Sequence, residues 1–143
     1  MTKATPPPNA YKGKEDAFQI SAIGYVRRVA RAIGHDPRCV MHVPNGGART
    51  AIAGAKMKSA GTVRGYPDIM VFAPESVPPI NRKTYIKPRC GLALELKIWP
   101  NRPTKDQEEV HEILREAGWR VIVCWSLDAV VAECERYLTP EAR

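Results

Sequence analysis

Gly65-Tyr66-Pro67-Asp68-Ile69-Met70-Val71-Phe72 and, further on, Leu92-Ala93-Leu94-Glu95-Leu96-Lys97-Ile98 decide how this chain folds. The first stretch is a turn running into an apolar strand. The second alternates, and side chains on a strand repeat with a period of two. Leu92, Leu94, Leu96 and Ile98 therefore share one face, and Ala93, Glu95 and Lys97 share the other. If the two strands pair, Asp68 at the head of one approaches Glu95 on the other. Two carboxylates that close repel each other unless a cation lies between them. Lys97 then stands at the edge of a metal site.

Outward from this pair the chain alternates helices and strands. Phe18, Ala22, Val26, Val29 and Ile33 recur at helical spacing, which predicts a helix over 15–33 stopped by Gly34. Residues 39–43 read as a first strand, ended by Pro44-Asn45-Gly46-Gly47. Ala51 to Ala60 is expected to be a short helix weakened by Gly54. Strands two and three are expected at 69–73 and 91–98, joined by a long proline-rich loop, a kind of segment that is often functional. A helix over 104–117, a strand over 120–125 parallel to strand three, and a helix over 127–138 capped by Ser126 complete the order. The expected class is α/β: helix, three strands, helix, strand, helix, with a mixed central sheet. Residues 1–12, with Pro6-Pro7-Pro8, read as a disordered leader, and 13–140 as one domain.

The chain of 143 residues suits one domain with a sizeable core. No apolar run is long enough to span a membrane. Cys39, Cys90, Cys124 and Cys134 form no CxxC pair, and three of them lie in apolar patterns. Buried free thiols in a reducing cytoplasm are expected, and no zinc site. His35, His42 and His111 are dispersed without ligand spacing, and none is assigned to a metal.

The net charge of +7 is unevenly placed. Residues 49–105 hold eleven Lys and Arg against three Asp and Glu, whereas 106–143 hold four against nine. The basic excess surrounds the suspected site, as a polyanion partner requires.

Taken in order, these pieces resemble the virus-type replication-repair nuclease (VRR-NUC) family of the PD-(D/E)XK superfamily, over about Glu15 to Leu138. Pro67-Asp68 matches the family's P-D and Glu95-Leu96-Lys97 its E-x-K. Gln107 matches the glutamine that opens the next helix, and Glu15 with Gln19 the acid and glutamine of the first. Val43-Pro44-Asn45-Gly46-Gly47 and the Gly61/Gly65 spacing resemble its connecting motifs.

The resemblance implies a restriction-endonuclease-like core and metal-dependent hydrolysis of phosphodiester bonds in DNA. Asp68, Glu95, the Leu96 carbonyl and Glu15 would hold one or two Mg²⁺ or Mn²⁺ ions, whose preferred ligands are oxygens. Lys97 would orient the attacking water and offset phosphate charge, and Gln107 would position water or Lys97. Asn45, Arg49, Lys56, Lys58 and Arg64 before the strands would hold the DNA backbone. So would Lys83, Lys87 and Arg89 in the long loop, with Arg102 and Lys105 at the second helix. Such contacts give salt-dependent, sequence-tolerant binding.

Plainer roles remain open for several of these residues. Asp68 suits a turn, Asn45 the Asn-Gly-Gly turn, and Glu15 the positive end of a helix. Thr104-x-x-Gln107 fits a capping box, which a site role for Gln107 does not exclude. Bare domains of this family resemble phage-encoded proteins, which points to the cytoplasm, that of a bacterial host if phage-encoded. The expected activity is a Holliday-junction-resolvase-like endonuclease, acting as a homodimer. The alternatives are a flap, nick or duplex nuclease and a non-catalytic DNA-binding module on the same fold.

Overall fold

The computed structural model describes residues 3–44, 50–77 and 87–139. The chain order is α1 (Glu15–Ala32), a 3₁₀ turn at Pro37–Cys39, β1 (Val40–His42), α2 (Ala51–Ser59), β2 (Ile69–Val71), β3 (Gly91–Leu96), α3 (Lys105–Glu116), β4 (Trp119–Cys124) and α4 (Leu127–Leu138). The four strands form one sheet in the order β1-β2-β3-β4. β1 and β2 are antiparallel, as are β2 and β3, whereas β3 and β4 run parallel. The mixed α/β sheet expected from the sequence is present.

The period-two reading of β3 assigns its faces correctly. Leu92, Leu94 and Leu96 pack with Phe18, Ala22, Val26 and Ala30 of α1 and with Val130, Cys134 and Tyr137 of α4. Ala93 lies on the opposite face with Met70, Val121 and Val110 and Leu114 of α3. Two helices thus cover one side of the sheet and α3 the other. Because α3 lies over the Ala93 face, Glu95 is not on a wet surface: it is 1% exposed.

The stretch expected as a disordered leader is tied down where it meets the domain. Tyr11 stacks on Phe18 at 4.6 Å, and its amide donates to the Trp125 carbonyl at 2.7 Å. Asn9 donates to Asp128. Burying an aromatic ring is enough to anchor a short polar segment. Elsewhere, α2 has no buried residue, and Ile52 on it is 83% exposed. Among the described residues, no helix is long and apolar enough to cross a membrane.

Candidate active site

The register of β2 and β3 builds the site. Ile69 pairs with Leu94, so one step outward Asp68 stands opposite Glu95. Asp68 Oδ2 accepts the Leu96 amide at 2.7 Å, which continues the pairing past the end of β2 through a side chain. A residue's N–H and C=O leave an extended strand on the same edge, so the Leu96 carbonyl faces the Asp68 side as well. The Asp68 carbonyl accepts from the Val43 amide and meets His42 Nδ1, each at 2.9 Å. Backbone and side chain of Asp68 are therefore both fixed.

Glu95 is held from α3 and from its own strand. Gln107 Nε2 donates to Oε1 at 2.8 Å, Lys97 Nζ lies 3.7 Å from the same oxygen, and His111 Nε2 lies 3.3 Å from Oε2. Lys97 follows the last residue of β3, its side chain only 14% exposed, and its amide extends the β3–β4 ladder to Cys124. A carboxylate only accepts, so the His111 contact requires the ring hydrogen on Nε2.

Gln107 caps its helix and also contacts Glu95. Its amide nitrogen of the backbone donates to Thr104 Oγ1 at 3.3 Å, and its side-chain Oε1 accepts from the Thr104 amide at 2.9 Å, a complete capping box. The other end of the same side chain, Nε2, reaches Glu95. Each partner dictates the orientation of the amide, donor to carboxylate and acceptor to N–H. Gly65 lets this helix start come close. Its φ is +92°, and a Cβ there would lie 2.5 Å from the Asp106 carbonyl oxygen.

Electrostatics single out Asp68. Burial raises Asp68 from 3.8 to about 7, with the charge of Glu95 the next cause and that of Glu15 a smaller one; the Leu96 amide and Lys97 act in the opposite direction. This donor set fits a divalent cation. Mg²⁺ is commonly held by one or two carboxylates with several waters, and positive charge between Asp68 and Glu95 removes their repulsion. Among the described residues there is no group of three or more His, Cys, Asp and Glu side chains placed to hold a metal. The carboxylates brought together are thus Asp68 and Glu95.

The other expected site residues divide by position. Glu15 begins α1, exposed and within electrostatic reach of Asp68, but makes no hydrogen bond or ion pair with the acid pair. Gln19, one turn on, buries its Nε2 without a hydrogen-bond partner among the described residues. Lys58 and Arg64 line a groove of about 1130 Å³ between α2 and the start of α3, whose wall also includes Thr50, Gly65, Asp106 and Gln107. Lys56 lies in the last turn of α2. Arg102 stands over Trp99, and Lys105 lies 4.0 Å from Glu109. Asn45, Arg49 and Lys83 lie outside the described residues.

Lys87 and Arg89 do not flank the acid pair. They precede β3, whereas Glu95 is near its other end, and the six positions from Arg89 to Glu95 span about 20 Å of extended chain. The Arg89 amide donates to Glu75 there. His111 is the site residue that the sequence reading passed over. Its signal was its place four residues after Gln107, which puts both on one face of α3.

No family model matches the sequence, and no curated protein does. Among solved structures the chain is similar to a VRR_NUC domain protein, with a TM-score of 0.68 at 21% identity, over 91% of this chain and 92% of that one. The likeness establishes the fold: this chain shares the mixed α/β architecture of that protein.

Proposed function

We propose that this chain, built on a nuclease-family fold, is a divalent-metal-dependent DNA endonuclease that hydrolyses phosphodiester bonds in branched DNA such as a four-way junction. One observation carries the reading: two carboxylates, Asp68 and Glu95, are held together beneath α3 with a lysine and a glutamine on the same Glu95 oxygen. Binding alone has no use for clustered acids beside a phosphate, because they repel it.

Asp68, Glu95 and the Leu96 carbonyl would hold Mg²⁺ or Mn²⁺, with Glu15 near enough to add its charge. When bound, such an ion lowers the pKa of water and polarises the phosphate. Lys97 contributes a fixed positive charge at the edge of the pair, where it orients the attacking water and offsets charge gathering on the scissile phosphate. Gln107 and His111 hold Glu95 in one orientation, so that its oxygens are aligned before substrate arrives. The DNA backbone follows the basic side of the molecule. Between Asp36 and Asp68 the sequence has no acidic residue, while Lys56, Lys58 and Arg64 stand on or beside the groove at α2. Asn45, Arg49 and Lys83 belong to the same basic or turn-forming segments, and Arg102 and Lys105 extend the surface to α3.

A two-fold dimer would offer two such sites to one junction. Sedimentation at micromolar concentration, with and without junction DNA, tests it: a monomer in both removes the paired-cut reading.

The activity is tested by cleavage of labelled four-way junction, flap and linear duplex DNA with Mg²⁺ or Mn²⁺. Glu95→Ala is expected to abolish cutting and Lys97→Ala to slow it roughly 10²- to 10³-fold, the range for losing one preorganised charge-stabilising group. Symmetric paired cuts support a resolvase. Preference for flaps or duplex keeps the nuclease and discards the junction. Tight binding without cleavage in either metal, or a Lys97→Ala variant as fast as wild type, sinks the catalytic assignment.

A further inference from the structure

Between β3 and α3 the chain forms a loop flanked by two residues that meet one atom. Lys97 Nζ lies 3.7 Å from Glu95 Oε1, and Gln107 Nε2 lies 2.8 Å from it. Glu95 therefore anchors the chain on both sides of the loop. The loop carries Trp99, two residues past Lys97, and two residues of chain span at most about 7 Å.

Trp99 is not a core residue. Both it and Trp125 are partly exposed, and among the described residues neither packs against either of the two apolar clusters, whereas Trp119 does. Trp125 meets Trp99 edge-on, with ring centroids 5.9 Å apart and planes at 72°. Its indole N–H donates to the Asn101 carbonyl at 2.7 Å, which fixes the pair to the loop. The exposed Arg102 lies over the Trp99 ring, its guanidinium carbon 5.7 Å from the centroid. A cation over an indole at the surface is weakly held, and a flat aromatic ligand can displace it. An indole face, an arginine beside it and a phosphate-cleaving centre within two residues form the elements of a single-strand nucleic-acid seat.

Resting on the nuclease reading, we infer that Trp99 and Arg102 form a seat for one unpaired nucleobase of the DNA strand at the acid pair. The base stacks on the Trp99 face now covered by Arg102, and Arg102 turns to a phosphate of the same strand. A base inside a duplex has both faces occupied by its neighbours, so it cannot use this seat without leaving the stack. The substrate class is thereby narrowed to DNA with an unpaired or splayed nucleotide beside the cut. The centre of a junction, a flap and a frayed nick all offer one; an intact duplex does not.

The test is binding in EDTA, where metal-dependent cleavage is silent, of a blunt duplex and of the same duplex with a short single-stranded tail carrying 2-aminopurine. Wild-type protein is expected to prefer the tailed duplex and to quench the 2-aminopurine by stacking. Trp99→Leu should lower the tailed-to-blunt affinity ratio about tenfold and remove the quench, and Trp99→Phe should restore most of both. A ratio and quench unchanged in Trp99→Leu overturn the seat. So does equal loss in the Leu and Phe variants, which marks a packing role. Wild-type cleavage of any DNA with Mn²⁺, measured alongside, judges the nuclease reading separately: activity with no Trp99 effect discards the seat alone.

Discussion

The two ends of β3 both gather polar groups, yet they are built on opposite terms. At the start of the strand, donors are set against acceptors. The Tyr137 hydroxyl, fully buried, lies 2.7 Å from the Ala73 carbonyl and 3.3 Å from that of Arg89. Glu75 and Arg89 exchange two hydrogen bonds at 2.9 Å each. Burial holds the Tyr137 proton on by pushing its pKa upward, so the group stays neutral. At the finish of the strand, acceptor faces acceptor: Asp68 and Glu95 sit together, and the Asp68 carboxyl is raised to about 7. One end is satisfied by the chain itself. The other holds two acids whose repulsion the described residues offset only in part.

The comparison can be broken at either end. Tyr137→Phe keeps the packing and removes one donor from two carbonyls. It should cost about 1–3 kcal/mol in denaturant unfolding, the penalty for leaving a buried group unsatisfied. Cleavage by the folded protein should be unchanged; a slower cut would mean that the two ends are coupled. Asp68→Asn works in the other direction. The wild-type carboxyl binds its proton more tightly folded than unfolded, since 3.8 becomes about 7. Its stabilising contribution is therefore complete below the lower value and lost as pH rises through the upper one. In EDTA at pH 8 the Asn variant should be more stable than wild type by about 1–2 kcal/mol, with little difference at pH 4. A variant less stable at both pH values would show that the acid pair carries no such strain.

The smallest effect separates cap from site. Thr104→Ala removes the hydroxyl from the capping box and should cost about 1 kcal/mol, leaving the Gln107 contact with Glu95 in place. Gln107→Ala should destabilise by a similar amount and slow cleavage as well. Equal cleavage rates in the two variants would reduce Gln107 to a cap.

The sequence made the strand end legible because the signal there is local. A period of two in Leu92–Ile98 and one Pro-Asp turn bring Asp68 opposite Glu95 once the two strands pair. What escaped is set by packing between distant segments. Period two assigns Glu95 to a polar face, but not that α3 closes over it. His111 looks like any helical histidine until that helix docks on the Ala93 face. Tyr11 follows three prolines and a polar run, and its anchor is the ring of Phe18. Lys87 and Arg89 are near Glu95 in sequence and far from it in space, because an extended strand is the longest way to separate two residues.

Position 107 has a consequence for what can vary. Its side chain must present an acceptor to the Thr104 amide and a donor to Glu95 at the same time. Glutamate offers no donor, lysine offers no acceptor, and asparagine is one methylene short. No neighbouring amino acid substitutes for both ends at once. A sequence drifting under pressure to keep α3 alone would accept glutamate here, and one drifting under pressure to keep the acid pair alone would accept other donors. Glutamine is the residue on which those two pressures meet.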